Sequence, residues 1–162
     1  DTIEELKKNI EAQLEVTLAR KQILQARDQI VDQLVEKAKI PVSDEAVKRE
    51  VDSHLENEGK AMDDPHRVEV LEETEKNFRV QLLLDAVVDA EAIKVEDQEL
   101  IEYLAFQSRN YGMDPNEFIK QVANAGQVPM FVDELSRRKA VDALVAHAEI
   151  TDAKGNKVSV EG

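Results

Sequence analysis

Three histidines, His54, His66 and His147, are the side chains of this chain that titrate near neutrality. An imidazole can hold a metal or move a proton, provided that partners stand at the right spacing. No His-x-x-x-His pair occurs, nor the Glu-x-x-His step of di-iron bundles. The three fall on three different predicted helices, so each reads as isolated. His66 follows Asp63-Asp64-Pro65, which reads as a solvated helix start rather than a ligand set. No native metal site and no cofactor are expected. Carboxylates are plentiful, as Glu69, Glu72, Glu73 and Glu75 and again from Asp85 to Glu102, where Lys94 is the one cation. Acid–base work needs such groups in a concave, desolvated setting. Here they recur at helix-face spacing, which reads as a solvated surface. Ser43, Ser53, Ser108, Ser136 and Ser159 lie in no G-x-S-x-G elbow, and neither phosphate-cradling glycine loop occurs. The basic run Arg137-Arg138-Lys139 is expected to pair with neighbouring acids such as Asp133, Glu134 and Asp142. No catalytic residues are assigned, and no enzyme is expected.

Composition points the same way. Cysteine is absent, which removes thiol catalysis, disulfides and Cys-bound zinc. The net charge of −14 argues against direct nucleic-acid binding and favours solubility. No apolar run approaches a membrane span, and Asp1-Thr2-Ile3-Glu4-Glu5 is no signal peptide. The chain lacks an initiator Met and reads as a piece of a larger protein.

The elements that would position these residues are all helical. A single helical domain is expected over 1–150, with a tail at 151–162. Thr2 is a plausible N-cap for a long helix over 2–38, with Glu4 and Glu5 in its first turn. Ile3, Leu6, Ile10, Leu14 and Leu18 form one stripe along it. Such a helix would reach about 55 Å, so part of it should project from the body. Pro41 stops it and Ser43 caps the next helix, over 43–59, whose stripe is Val47, Val51 and Leu55. Further helices are predicted over 65–92, 96–112 and 114–125, with a body helix over 129–149. The stretch Val80 to Val88 reads as the most buried in the chain. Leu100, Ile101, Leu104 and Phe106 are expected to face inward. All six aromatics lie between Phe78 and Phe131, which predicts the tighter core in the second half and outlying, thinly striped helices before Asn77. An extended piece is expected near Val158 and Val160.

Three similar steps recur at helix ends: Ala38-Lys39-Ile40, Ala90-Glu91-Ala92-Ile93 and Ala148-Glu149-Ile150. Apolar residues also stand near predicted turns, as Met62, Met113, Val128 and Met130. They suit a surface that binds many partners loosely, or else plugs at helix junctions.

Four stretches carry a resemblance: Ile40-Pro41-Val42-Ser43-Asp44-Glu45 running into Val51-Asp52, Phe78 to Val88, Met113 to Ile119, and Ala140 to Ala148. In order and spacing the chain resembles the C-terminal domain of trigger factor, the bacterial ribosome-associated chaperone. The resemblance spans roughly Asp1 to Val158. It implies an elongated all-α domain with a compact body and protruding helical arms, around Ser43–Gly59 with Pro65–Phe78, and across Glu96–Gln127. It implies an ATP-independent, cytoplasmic chaperone domain that holds unfolded or nascent polypeptides in a cradle between the arms. The contact set it suggests is Met62, Val68, Leu71, Phe78, Met113, Phe118, Val128, Met130 and Phe131. The family's ribosome-docking G-F-R-x-G-K loop does not occur here, and nothing reads as its β-rich prolyl isomerase domain. Ribosome contact and isomerase activity are therefore expected only of other parts of a parent protein. Weak self-association through apolar faces is a further expectation. The competing reading is a helical scaffold that docks one folded partner.

Overall fold

A computed structural model describes residues 2–151, the Ala19 side chain excepted, and Gly155. The predicted extension at Val158 and Val160 lies outside the described residues. Among them the chain forms six helices: α1 (Ile3–Ala38), α2 (Asp44–Asn57), α3 (His66–Ala90), α4 (Asp97–Gln107), α5 (Pro115–Asn124) and α6 (Val128–His147).

Local chemistry sets where each helix begins. Thr2 and Glu5 form a reciprocal capping box on α1, with the Thr2 N–H donating to Glu5 Oε2 at 2.8 Å and the Glu5 N–H to Thr2 Oγ1 at 3.3 Å. Ser43 and Asp44 open α2, and Asp114 caps α5 ahead of Pro115. The recurring Ile steps have a backbone basis at two of their three places. Lys39 and Ala92, each preceding an Ile, adopt the left-handed conformation with φ of 46° and 49°. There each reverses the chain, as glycine does after α2, α4 and α5. The third step differs, since Ala148 ends α6 in extended geometry.

Packing divides the helices into a body and two arms. The second half of α1 lies against α3 and α6. Ion pairs Arg27–Asp142 and Lys76–Asp32 bind it there. Its first half is exposed from Ile3 through Leu18 (76% at Ile3, 57% at Leu18), so about 24 Å of helix stands off the body. The first arm is α2 against the first half of α3, around Val47, Val51, Leu55 and Val70, with Val42 and Phe78 packed on them. The second arm joins α4, α5 and the first half of α6, around Tyr103, Leu104, Phe118, Val122, Phe131 and Leu135.

Several expectations are corrected. The α2 stripe is among the best buried in the molecule, with Val51 and Leu55 at 0%. A two-helix hairpin has one seam, and three side chains at four-residue spacing are enough to fill it. Residues before Asn77 therefore include a true core. The stretch Val80–Val88 is less buried than predicted, since Leu84 is its one buried residue and Leu82 is 46% exposed. Here Val80 and Leu84 face the cleft that α3 forms with α1 and α6, while Leu82 lies off that face and meets solvent. On α4, Ile101 and Phe106 point outward, while Leu100, Tyr103 and Leu104 face the core. Spacing of three and four picks out these inward residues, and Ile101 and Phe106 lie off that face. Helix α6 is shared rather than purely a body helix, because Phe131 and Leu135 belong to the second arm's core.

Candidate functional site

The apolar side chains that remain at the surface fall into separate places rather than one closed pocket. Met62, Val68 and Leu71 lie at the outer end of the first arm, with exposures of 43%, 62% and 37%. The second arm presents Ile101, Phe106, Tyr111 and Met130, each about half exposed or more. Tyr111 stacks on Phe118, ring centres 5.1 Å apart, so its outer face continues the core to the surface.

Two concavities on the body are each lined by several apolar residues. A cleft of about 520 Å³ opens between α1, α3 and α6, lined by Leu24, Val31, Val80, Leu84 and Val141, with Arg27, Asp32, Lys76 and Arg138 around them. A groove of about 810 Å³ runs between α1 and the end of α6. Ile30, Leu34, Leu144 and Ile150 give it apolar surface, and Gln22, Gln25, Gln29 and Gln33 line it from α1. The glutamine spacing of three and four sets all four on one helix face. A side-chain amide both donates and accepts hydrogen bonds, so this row can meet peptide backbone without selecting a side chain.

The expected contact residues are distributed unevenly over these surfaces. Met62, Val68, Leu71 and Met130 are exposed, while Phe78, Met113 and Val128 are half-buried against the arm cores. Phe118 and Phe131 are core residues, each 5% exposed, and offer almost no surface. Their rings meet edge to face at 5.9 Å, and Tyr103 meets Phe131 the same way at 6.5 Å. The stripe on the first half of α1, the glutamine groove and the Leu24–Val141 cleft were not assigned from sequence. The α1 stripe and the glutamine spacing are visible there; the cleft exists only once three distant segments meet.

The charged residues also behave differently from expectation. Arg137 pairs across the fold, with Nε 2.7 Å and Nη2 3.1 Å from the two Asp85 oxygens. Lys139 donates to both Glu99 oxygens, at 2.8 and 2.7 Å, and to the Lys94 carbonyl at 2.6 Å. Asp142 is bound by Arg27. Thus the basic run ties α6 to α3 and α4 rather than to acids one turn away, and the acidic stretch is not wholly solvated. The hydrogen bond from the Glu96 N–H, then that from Lys139, holds the Glu99 carboxyl below its ordinary range. The fold likewise corrects the view of the histidines as isolated: His54 and His66 both approach Glu58.

The family model described as the C-terminus of bacterial trigger factor protein matches residues 2–146. The chain belongs to the trigger factor C-terminal family. Trigger factor of Kineococcus radiotolerans is 45% identical over 161 residues, covering 99% of this chain and 34% of that protein. Trigger factor of Clavibacter michiganensis subsp. michiganensis is 44% identical over 160 residues, covering 99% of this chain and 33% of that protein. The chain thus spans about a third of the length of these curated trigger factor relatives. A solved structure from work on the domains of trigger factor from Thermotoga maritima superposes with a TM-score of 0.66 at 19% identity, over 80% of this chain and 84% of that one. That likeness supports the trigger factor fold assignment, and the sequence relatives support the family.

Proposed function

We propose that this chain is an ATP-independent chaperone domain that holds unfolded or nascent polypeptides through dispersed apolar contacts. The observation that carries the reading is the scatter of exposed apolar residues over two arm ends, a projecting helix and two open concavities. An unfolded chain presents apolar side chains at irregular intervals, and separated patches can each take one weakly. Met-containing patches adapt to varied side chains. The glutamine row supplies backbone contacts that do not depend on client sequence. The net charge of −14 keeps the loaded complex soluble.

A scaffold for one folded partner would favour one continuous patch with an anchored centre, which these surfaces do not form. The chain acts by binding rather than catalysis. By the resemblance, prolyl isomerase activity and ribosome contact reside in other parts of a parent protein, and the setting is the cytoplasm. Weak self-association through the exposed α1 stripe is part of the same reading.

The test is light scattering of an unrelated, chemically unfolded protein diluted into buffer with and without this chain. Suppression at comparable molar amounts, little changed by moderate salt, is the expected result, because apolar contacts are not screened. No suppression by a chain shown to be helical would contradict the proposal.

A further inference from the structure

His54, Glu58 and His66 come together where α2 turns into α3. Glu58 Oε1 lies 3.2 Å from His54 Nε2, and Glu58 Oε2 lies 3.5 Å from His66 Nε2. One ligand atom from each of the three lies within 4.8 Å of the others. A tetrahedral zinc ion with bonds of about 2.0–2.1 Å sets neighbouring ligand atoms about 3.4 Å apart. The two separations, one to each oxygen of Glu58, are close to that spacing.

The surroundings of His66 add an independent observation. Its Nδ1 lies 3.1 Å from Glu69 Oε2. A carboxylate there can accept a hydrogen bond from Nδ1–H and so orient the ring with Nε2 toward Glu58, the arrangement that supports metal-ligating histidines. Lys60 Nζ lies 2.7 Å from Glu58 Oε2 and occupies that oxygen in the absence of an ion. The Asp64 side chain accepts from the His66 N–H at 2.9 Å and fixes the backbone there.

We propose that His54 Nε2, His66 Nε2 and the Glu58 carboxylate form a binding site for a first-row transition dication of the zinc type. Lys60 competes for the carboxylate and swings aside when the metal binds. Solvent completes the coordination, since His54 and Glu58 are exposed. The bound ion pins the turn that carries Met62 and so fixes the outer end of the first arm.

Zinc chloride titrated into the chain in a non-chelating buffer tests this, read by calorimetry and by histidine ring NMR. One equivalent binds, and the His54 and His66 ring signals shift while those of His147, on α6, do not. His54→Gln and His66→Gln each weaken binding at least about tenfold, and Glu69→Ala weakens it about tenfold through loss of the orienting bond. Lys60→Ala, which leaves every ligand in place, tightens binding. Retained affinity in both histidine variants would overturn the proposal. So would the absence of any His54 and His66 shift at millimolar zinc in a chain whose fold is intact.

Discussion

Ala92 holds a backbone conformation that costs a residue with a Cβ. Its φ of 49° falls in the left-handed region, where glycine stands at the turns after α2, α4 and α5. The reversal is closed by the Ile93 N–H donating to the Val88 carbonyl at 2.9 Å. Ala92→Gly keeps that bond and removes the Cβ strain, so it should stabilise the chain by about 1 kcal/mol in urea unfolding. Glu99 makes a second residue-scale prediction. The Glu96 N–H and the Lys139 ammonium hold its folded pKa below the ordinary 4.5. Its contribution is therefore complete above that value and is lost as pH falls through the lower folded one. Glu99→Gln should be less stable at neutral pH. Its urea midpoint should also fall less steeply than that of the parent chain as the solution is acidified below 4.5. Neither effect was legible in sequence. The residues preceding the Ile steps were visible as a repeat, but not their backbone sign, and Lys139 meets Glu99 only through a contact 40 residues long.

At the scale of elements, helix starts and stops were largely readable because local chemistry decides them. Thr2 with Glu5, Ser43, and Asp114 with Pro115 act on their own neighbours in the chain. The inward face was readable where spacing alone picks it, as at Val47, Val51 and Leu55, though not how completely that face is buried. Burial was misjudged where it depends on how many neighbours a helix finds. Leu82 lies in the most apolar stretch yet faces solvent, because it lies off the face that Val80 and Leu84 turn toward α1 and α6. The large aromatics suggested one dominant core, whereas the α2–α3 seam closes without any buried aromatic of its own beyond half-buried Phe78. That seam is the arm's whole support, since α2 packs mainly on α3. Leu55→Ala should therefore cost about 2–5 kcal/mol locally. In hydrogen exchange the α2 amides and those of the first half of α3 should lose protection, while α4, α5 and α6 keep theirs. Equal loss across all six helices would mean that the arm is not a separate unit.

At the scale of the whole molecule, cross-fold ion pairs hold a body from which two arms and the first half of α1 extend. Arg137–Asp85, Lys139–Glu99 and Arg27–Asp142 all converge on α6. They lie at partly exposed positions, where solvent screens such pairs, so they orient the helices more than they stabilise the chain. Family-like stretches pointed to the overall architecture, but the concavities between segments had no sequence signature apart from the spacing of Gln22, Gln25, Gln29 and Gln33. The central claim is that clients are held at several separated apolar places at once. Methyl NMR of this chain titrated with an unfolded model polypeptide tests it most directly. Graded shifts should appear together at Leu6 and Leu14 on α1, Leu24 in the cleft, Met62 and Leu71 on the first arm and Met130 on the second, with the core methyls of Leu55 and Val122 unmoved. Shifts confined to one patch, saturating with a single tight site, would contradict the account and favour a docking module for one partner.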